Sequence, residues 1–217
     1  MNTRIKICCI SSVDEARIAV RHGAAALGLV SAMPSGPGVI DEELVAEIAA
    51  AAPPAVSTFL LTSLQDADAI VEQQRRCGTN TVQICDHLVT GSYAAMRRAM
   101  PGVKLVQVVH VTGEESIDEA RRVASDVDAI LLDSGNQKLA VKELGGTGRT
   151  HDWDLSRAIV ENAGVPVFLA GGLRRENIAD AIRQVRPFGI DLCSSLRTDG
   201  KLDEAKVAEF FRAAREA

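Results

Sequence analysis

Asp128-Ala129-Ile130-Leu131-Leu132-Asp133 decides the fold. Its middle is continuously apolar, with none of the alternation of a strand that has one wet face. A run of this kind suits a parallel strand buried on both sides. Seven similar segments occur along the chain, at Arg4–Cys8, Ala26–Val30, Val56–Leu61, Thr81–Cys85, Lys104–Val109, Pro166–Ala170 and Gly189–Cys193. With Ala129–Asp133 they make eight strands.

Helical patterns fill the gaps, over 12–22, 41–51, 65–76, 89–100, 114–125, 154–163, 175–184 and 203–216. The last carries Val207, Phe210, Phe211 and Ala214 on one stripe. The first has Ser12 before Asp14 and Glu15, with Gly23 just past its end; these are N-cap, helix-dipole and C′ signals. Asp41-Glu42-Glu43 opens the second in the same way. Eight strand–helix units in 217 residues leave about the minimum chain for each. A doubly wound sheet also alternates, but eight units with no ninth element favour closure. No Pro/Gly/Ser tract divides the chain. The expectation is one domain over 1–217, a minimal single-domain α/β (β/α)8 TIM barrel.

Composition narrows the function. A formal charge of −5 and 3% aromatics argue against a nucleic-acid partner, which usually meets a basic face or stacking platforms. No run of about 18 apolar residues is present, so no membrane span is expected. Met1-Asn2-Thr3-Arg4-Ile5-Lys6 lacks the apolar stretch of a signal peptide. Five cysteines, an odd count with Cys8 and Cys9 adjacent, read as reduced thiols in a cytoplasmic protein rather than a disulfide framework. The scattered histidines and the lack of CxxC or HExxH give no metal motif.

In a (β/α)8 barrel the chemistry sits on loops after the strands' C-terminal ends. Cys8 closes the first strand, near Lys6, whose charge would lower its pKa and favour a thiolate base or nucleophile. Asp133 closes the sixth; partial desolvation would raise its pKa and suit a general acid. A loop of about 20 residues follows it, long for so economical a chain. Gly145-Gly146-Thr147-Gly148, Ala170-Gly171-Gly172-Leu173 and Ser194-Ser195 are small-residue turns. The last two follow strands seven and eight, where such barrels usually bind phosphate.

These residues together resemble the phosphoribosylanthranilate isomerase family of tryptophan biosynthesis, essentially end to end. The carrying motifs are Lys6-Ile7-Cys8, Leu131-Leu132-Asp133-Ser134, and Gly145-Gly146-Thr147-Gly148-Arg149-Thr150-His151-Asp152-Trp153. Ala170-Gly171-Gly172-Leu173 with Asn177, and Gly189-Ile190-Asp191, add to them. The resemblance implies a cofactor-free, metal-free Amadori rearrangement of a phosphosugar amine, with Asp133 as general acid and Cys8 as general base. It also implies a phosphate site at Gly171, Gly172, Ser194 and Ser195, and substrate contacts at Lys6, Gln83, Gly146 and Asp191. Monomers and homodimers both fit the family and this surface.

The departures lie at the mouth. Cys9 stands where the family usually has glycine, and Gly38 where it has the arginine that holds the anthranilate carboxylate. Gln83-Ile84-Cys85-Asp86 replaces glutamine-x-histidine-glycine, and Ser195 and Arg197 replace glycine and glutamate. One reading is that Arg197, or Arg149, supplies the displaced positive charge, since an arginine fork suits a carboxylate. The others are a relative acting on a different phosphorylated aminosugar, and a non-catalytic phosphate-binding descendant. His87 and His110 follow strands four and five, within reach of the mouth.

Overall fold

Strands of Val, Ile and Leu with apolar residues on both faces can be satisfied only between a filled interior and a ring of helices. The computed structural model, which describes residues 3–137 and 139–216, has that architecture. Eight parallel strands close in sequence order: β1 (Arg4–Ile7), β2 (Ala26–Val30), β3 (Ser57–Thr62), β4 (Thr81–Ile84), β5 (Lys104–His110), β6 (Ala129–Asp133), β7 (Val167–Leu169) and β8 (Gly189–Leu192). The sequence-predicted strands agree to within a residue or two at each end. Met1 and Asn2, Lys138 of the long loop, and Ala217 lie outside the described residues.

Eight α-helices form the outer ring: α1 (Val13–His22), α2 (Glu42–Ala51), α3 (Ala67–Cys77), α4 (Tyr93–Ala99), α5 (Glu115–Ala124), α6 (Trp153–Asn162), α7 (Ile178–Val185) and α8 (Glu204–Arg215). The Ser12 side chain caps α1 by accepting from the Glu15 N–H, and Gly23 ends it in the left-handed conformation. Asp41 caps α2 through the Leu44 N–H. Helix α7 starts three residues later than its polar pattern implies, because Arg174–Asn177 forms a turn in which Asn177 Oδ1 accepts from the Arg174 N–H at 2.9 Å. After β8 the chain makes a 3-10 turn at Ser194–Leu196 and a short hairpin, Arg197–Thr198 with Lys201–Leu202. The sequence carried no periodic signal for either. Among the described residues, no helix is long and apolar enough to cross a membrane.

Two apolar layers result. The larger lies between strands and helices and includes Leu27, Ile48, Ile130 and Phe210. The smaller fills the barrel with Phe59, Val106, Leu131, Phe168 and their neighbours; Phe59 and Phe168 meet edge to face at 5.9 Å. This inner packing is the floor on which the polar mouth stands.

Candidate active site

The β1–β8 register sets Lys6 directly against Asp191. Both side chains point inward, and Lys6 Nζ donates to Asp191 Oδ2 at 2.7 Å with almost no exposure of either. Burial pulls the Lys6 ammonium down; Asp191, helped by the Cys8 and Cys85 sulfurs, more than reverses this and holds Lys6 above the usual lysine value. Burial also raises the Asp191 carboxyl, with Lys6 opposing it; the 2.7 Å contact is the geometry of an ion pair. Gly28 of β2 makes room for it: a Cβ there would lie 3.0 Å from Cys8 Sγ and 3.1 Å from Lys6 Nζ. This requirement was not legible beforehand, since a glycine in a strand marks close approach without saying of what.

Above this pair opens a cavity whose free space, open mouth included, is about 910 Å³. Cys8, Gln83, Gly146, Gly171, Gly172, Asp191, Ser194, Ser195 and Asp133 all line it. Lys6 lies beneath, reaching the cavity through Asp191. Asp133 is held by the Ser134 N–H, which donates to Oδ1 at 2.7 Å. Gly145 leaves space for the other oxygen, since a Cβ there would sit 2.7 Å from Oδ2. Burial, opposed by the Ser134 bond and reinforced by Asp191, pushes the Asp133 carboxyl up to about 6. A carboxyl titrating there can carry a proton to a substrate near neutrality.

Cys8 differs from expectation. Burial outweighs Lys6, and its thiol is pushed up to about 12 rather than down. The sequence showed the cation but not that the sulfur is fully enclosed. The reduced-thiol expectation is also corrected at one pair. Cys9 and Cys193 form a disulfide with Cα atoms 5.9 Å apart, while Cys8, Cys77 and Cys85 are free. Cys9 adopts φ +62°, bringing its side chain to the end of β8. The same side chain fills the space beside residue 38, where a Cβ would fall 2.4 Å from Cys9 Cβ.

Arg197 is the second correction. It does not line the cavity; its guanidinium donates to Glu15 Oε2 at 2.8 Å, to Gly200 O at 2.6 Å and to Cys9 O. Glu15 in turn accepts from the Ser11 and Leu202 N–H groups. The arginine ties the loop after β1 to the loop after β8 and has no fork left for a substrate. Arg149 pairs with Glu143. His110 is buried with Nε2 3.2 Å from Cys85 O, and His87 stands outside, half exposed, beside Glu119.

The long loop after β6 packs over the mouth. Lys142 Nζ reaches the buried Asp86 at 2.5 Å, Ser35 Oγ donates to Lys142 O, and Ser134 Oγ meets Thr147 Oγ1 at 2.6 Å. Gly172 packs so closely on Arg149 and Thr150 that a Cβ would lie 2.6 Å from their backbone. Among the described residues no three His, Cys, Asp or Glu side chains converge as a metal would need.

The family model for N-(5'-phosphoribosyl)anthranilate isomerase matches residues 5–213. N-(5'-phosphoribosyl)anthranilate isomerase 2 of Methanosarcina mazei is 38% identical over 214 residues, 98% of this chain and 94% of its own length. The crystal structure of phosphoribosyl anthranilate isomerase from Thermotoga maritima superposes with TM-score 0.82 at 27% identity, covering 99% of this chain and all of its own. A phosphoribosyl anthranilate isomerase in complex with reduced 1-(o-carboxyphenylamino)-1-deoxyribulose 5-phosphate matches at TM-score 0.80 and 25% identity, with 99% and 100% covered. The chain belongs to the N-(5'-phosphoribosyl)anthranilate isomerase family.

Proposed function

We propose that this barrel isomerises N-(5'-phosphoribosyl)anthranilate to 1-(o-carboxyphenylamino)-1-deoxyribulose 5-phosphate, without metal or cofactor, as a cytoplasmic step of tryptophan biosynthesis. Asp133 protonates the ring oxygen; the C1–O bond breaks as the nitrogen lone pair forms a C1=N Schiff base. Cys8, as thiolate, removes the C2 proton, and its electrons neutralise the iminium to give the enolamine, which tautomerises to the ketone. The observation that carries this reading is that Cys8 and Asp133, both buried and titratable, open into one cavity above the Lys6–Asp191 pair. Asp191 Oδ1 and Gln83 Oε1 are buried acceptors without a protein partner, suited to sugar hydroxyls. The phosphate is assigned to the turns at Gly171, Gly172, Ser194 and Ser195.

A second reading has one observation in its favour. Position 38 cannot carry a side chain against Cys9, so the family's usual carboxylate contact is missing, and the amine could be another aryl or alkyl group. Purified protein incubated with phosphoribosylanthranilate separates the two, because substrate fluorescence disappears on isomerisation. Turnover is expected, with Cys8→Ser and Asp133→Asn each losing most of kcat and Cys9→Ser keeping activity. No turnover, or full activity of Cys8→Ser, would refute the assignment.

A further inference from the structure

We propose that Arg174 is the side chain that reads the substrate phosphate and so fixes which end of the phosphosugar faces Cys8 and Asp133; this rests on the phosphosugar reading above. Among the described residues, Arg174 is the one lysine or arginine that lines the cavity. It is also uncommitted. Arg149, Arg175 and Arg197, its counterparts on the same rim and beside it, are held by Glu143, Glu209 and Glu15, whereas no acceptor in the described residues meets the Arg174 guanidinium. Its backbone, by contrast, is pinned. The Arg174 N–H donates to Asn177 Oδ1 at 2.9 Å, and Asn177 Nδ2 donates to Gly172 O at 3.0 Å. The turn that carries the cation is thus already ordered, so ligand binding has only the side chain itself left to fix.

A second, independent group points to the same ligand. Ser195 Oγ, on the loop after β8, is buried without a hydrogen-bond partner and lines the same cavity. The free polar groups are therefore sorted by kind. Donors, Arg174 and Ser195, stand on the β7–β8 side; acceptors, Asp191 Oδ1 and Gln83 Oε1, stand deeper. A molecule with an oxyanion at one end and hydroxyls in its middle satisfies both sets. In the eight-membered ring β7 stands opposite β3, where Val30, Met33, Leu61 and Leu144 make an apolar wall. That wall suits the arene, which leaves the phosphate, and not the aryl carboxylate, for Arg174.

The test uses the full chain and its Arg174→Gln and Arg174→Lys variants, with inorganic phosphate and anthranilate as separate competitive inhibitors. Arg174→Gln is expected to weaken phosphate inhibition and raise KM about tenfold or more, the loss of a charged hydrogen bond, with kcat within about twofold and an unchanged Tm. Arg174→Lys should recover part of both, and anthranilate inhibition should not change. The proposal is overturned if Arg174→Gln binds phosphate like the wild type, if it loses anthranilate inhibition instead, or if kcat falls while KM holds. A wild type that binds phosphate through Arg174 but fails to turn over phosphoribosylanthranilate would refute the proposed reaction and leave this assignment standing.

Discussion

Lys6→Met tests the floor of the site directly. Lys6 Nζ and Asp191 Oδ2 lie 2.7 Å apart with side-chain exposures of 0% and 7%, so neither charge has water to fall back on. Removing one partner of such a pair costs about 3–5 kcal/mol, because the other is left buried and uncompensated. With a urea m-value near 3 kcal/mol/M for a chain of this size, the midpoint should fall by about 1–1.7 M at pH 8.

The pH dependence has a definite sign. In the wild type Lys6 is held above its ordinary value, so its contribution is complete below about pH 10.5 and is lost only as pH rises through the folded value. In the variant the deficit comes from Asp191, whose carboxyl is raised by burial. The folded variant takes up a proton at a pH where the unfolded chain, with a carboxyl near 4, does not. The deficit is therefore larger at high pH and shrinks as pH falls through the raised value. Lys6→Met with Asp191→Asn removes both charges and should be less damaged than Lys6→Met alone. Urea titrations at pH 5 and 8 read all of this. A loss below about 1 kcal/mol at pH 8, or one independent of pH, refutes an ionic pair at the floor.

With Asp133 raised to about 6 and Cys8 to about 12, kcat/KM should be level near neutrality and fall about tenfold per unit below about pH 6, as the pair takes up its second proton; a profile level down to pH 4.5 contradicts this. Iodoacetamide should alkylate Cys8 of the free enzyme slowly between pH 7 and 9, read by mass spectrometry, and rapid labelling would disprove the neutral thiol. Gly38→Arg should lower the melting temperature, since residue 38 has φ +79° and its Cβ would sit 2.4 Å from Cys9 Cβ; Cys9→Gly should recover part of the loss, and an undiminished melt removes the steric argument. Arg197→Ala should cost about 2 kcal/mol of stability by freeing Glu15 and Cys9 O without a tenfold change in KM; the opposite pattern would make it a substrate contact after all.

What could be read in the sequence was what local pattern encodes. Ile130-Leu131-Leu132 declares a doubly buried strand, Ser12 and Gly23 declare the ends of a helix, and eight such units count out a closed barrel. Strand ends then locate Cys8 and Asp133 at the mouth. What could not be read was set by closure of the ring. Cys9 meets Cys193 across 184 positions, Glu15 meets Arg197 across 182, and Lys142 meets Asp86 across 56. No spacing rule links residues so far apart. Arg197 shows the consequence: its place after β8 is legible, but the direction of its side chain depends on Glu15, which the sequence presents only as a first-turn acid of α1. Cys8 shows another, because a neighbouring lysine is visible in the chain and the enclosure that outweighs it is not.

The two departures at 9 and 38 are one structural change. A side chain at 9 occupies the space a side chain at 38 would need, so the cysteine and the glycine come together. The protonation of Cys8 and Asp133 follows a similar economy. Near neutral pH the thiol of Cys8 is protonated and the carboxylate of Asp133 is not, so the pair holds one proton, on the sulfur. The proposed reaction needs that proton on the carboxyl. Both arrangements carry the same net charge, so the exchange buries no new ion; its cost is the gap of about six units, on the order of 8 kcal/mol at about 1.4 kcal/mol per unit. The substrate narrows the gap at the sulfur. In the proposed reaction the iminium formed at C1 is a cation beside Cys8 that favours its thiolate. On the proposed mechanism, the thiolate is therefore favoured mainly once the iminium has formed.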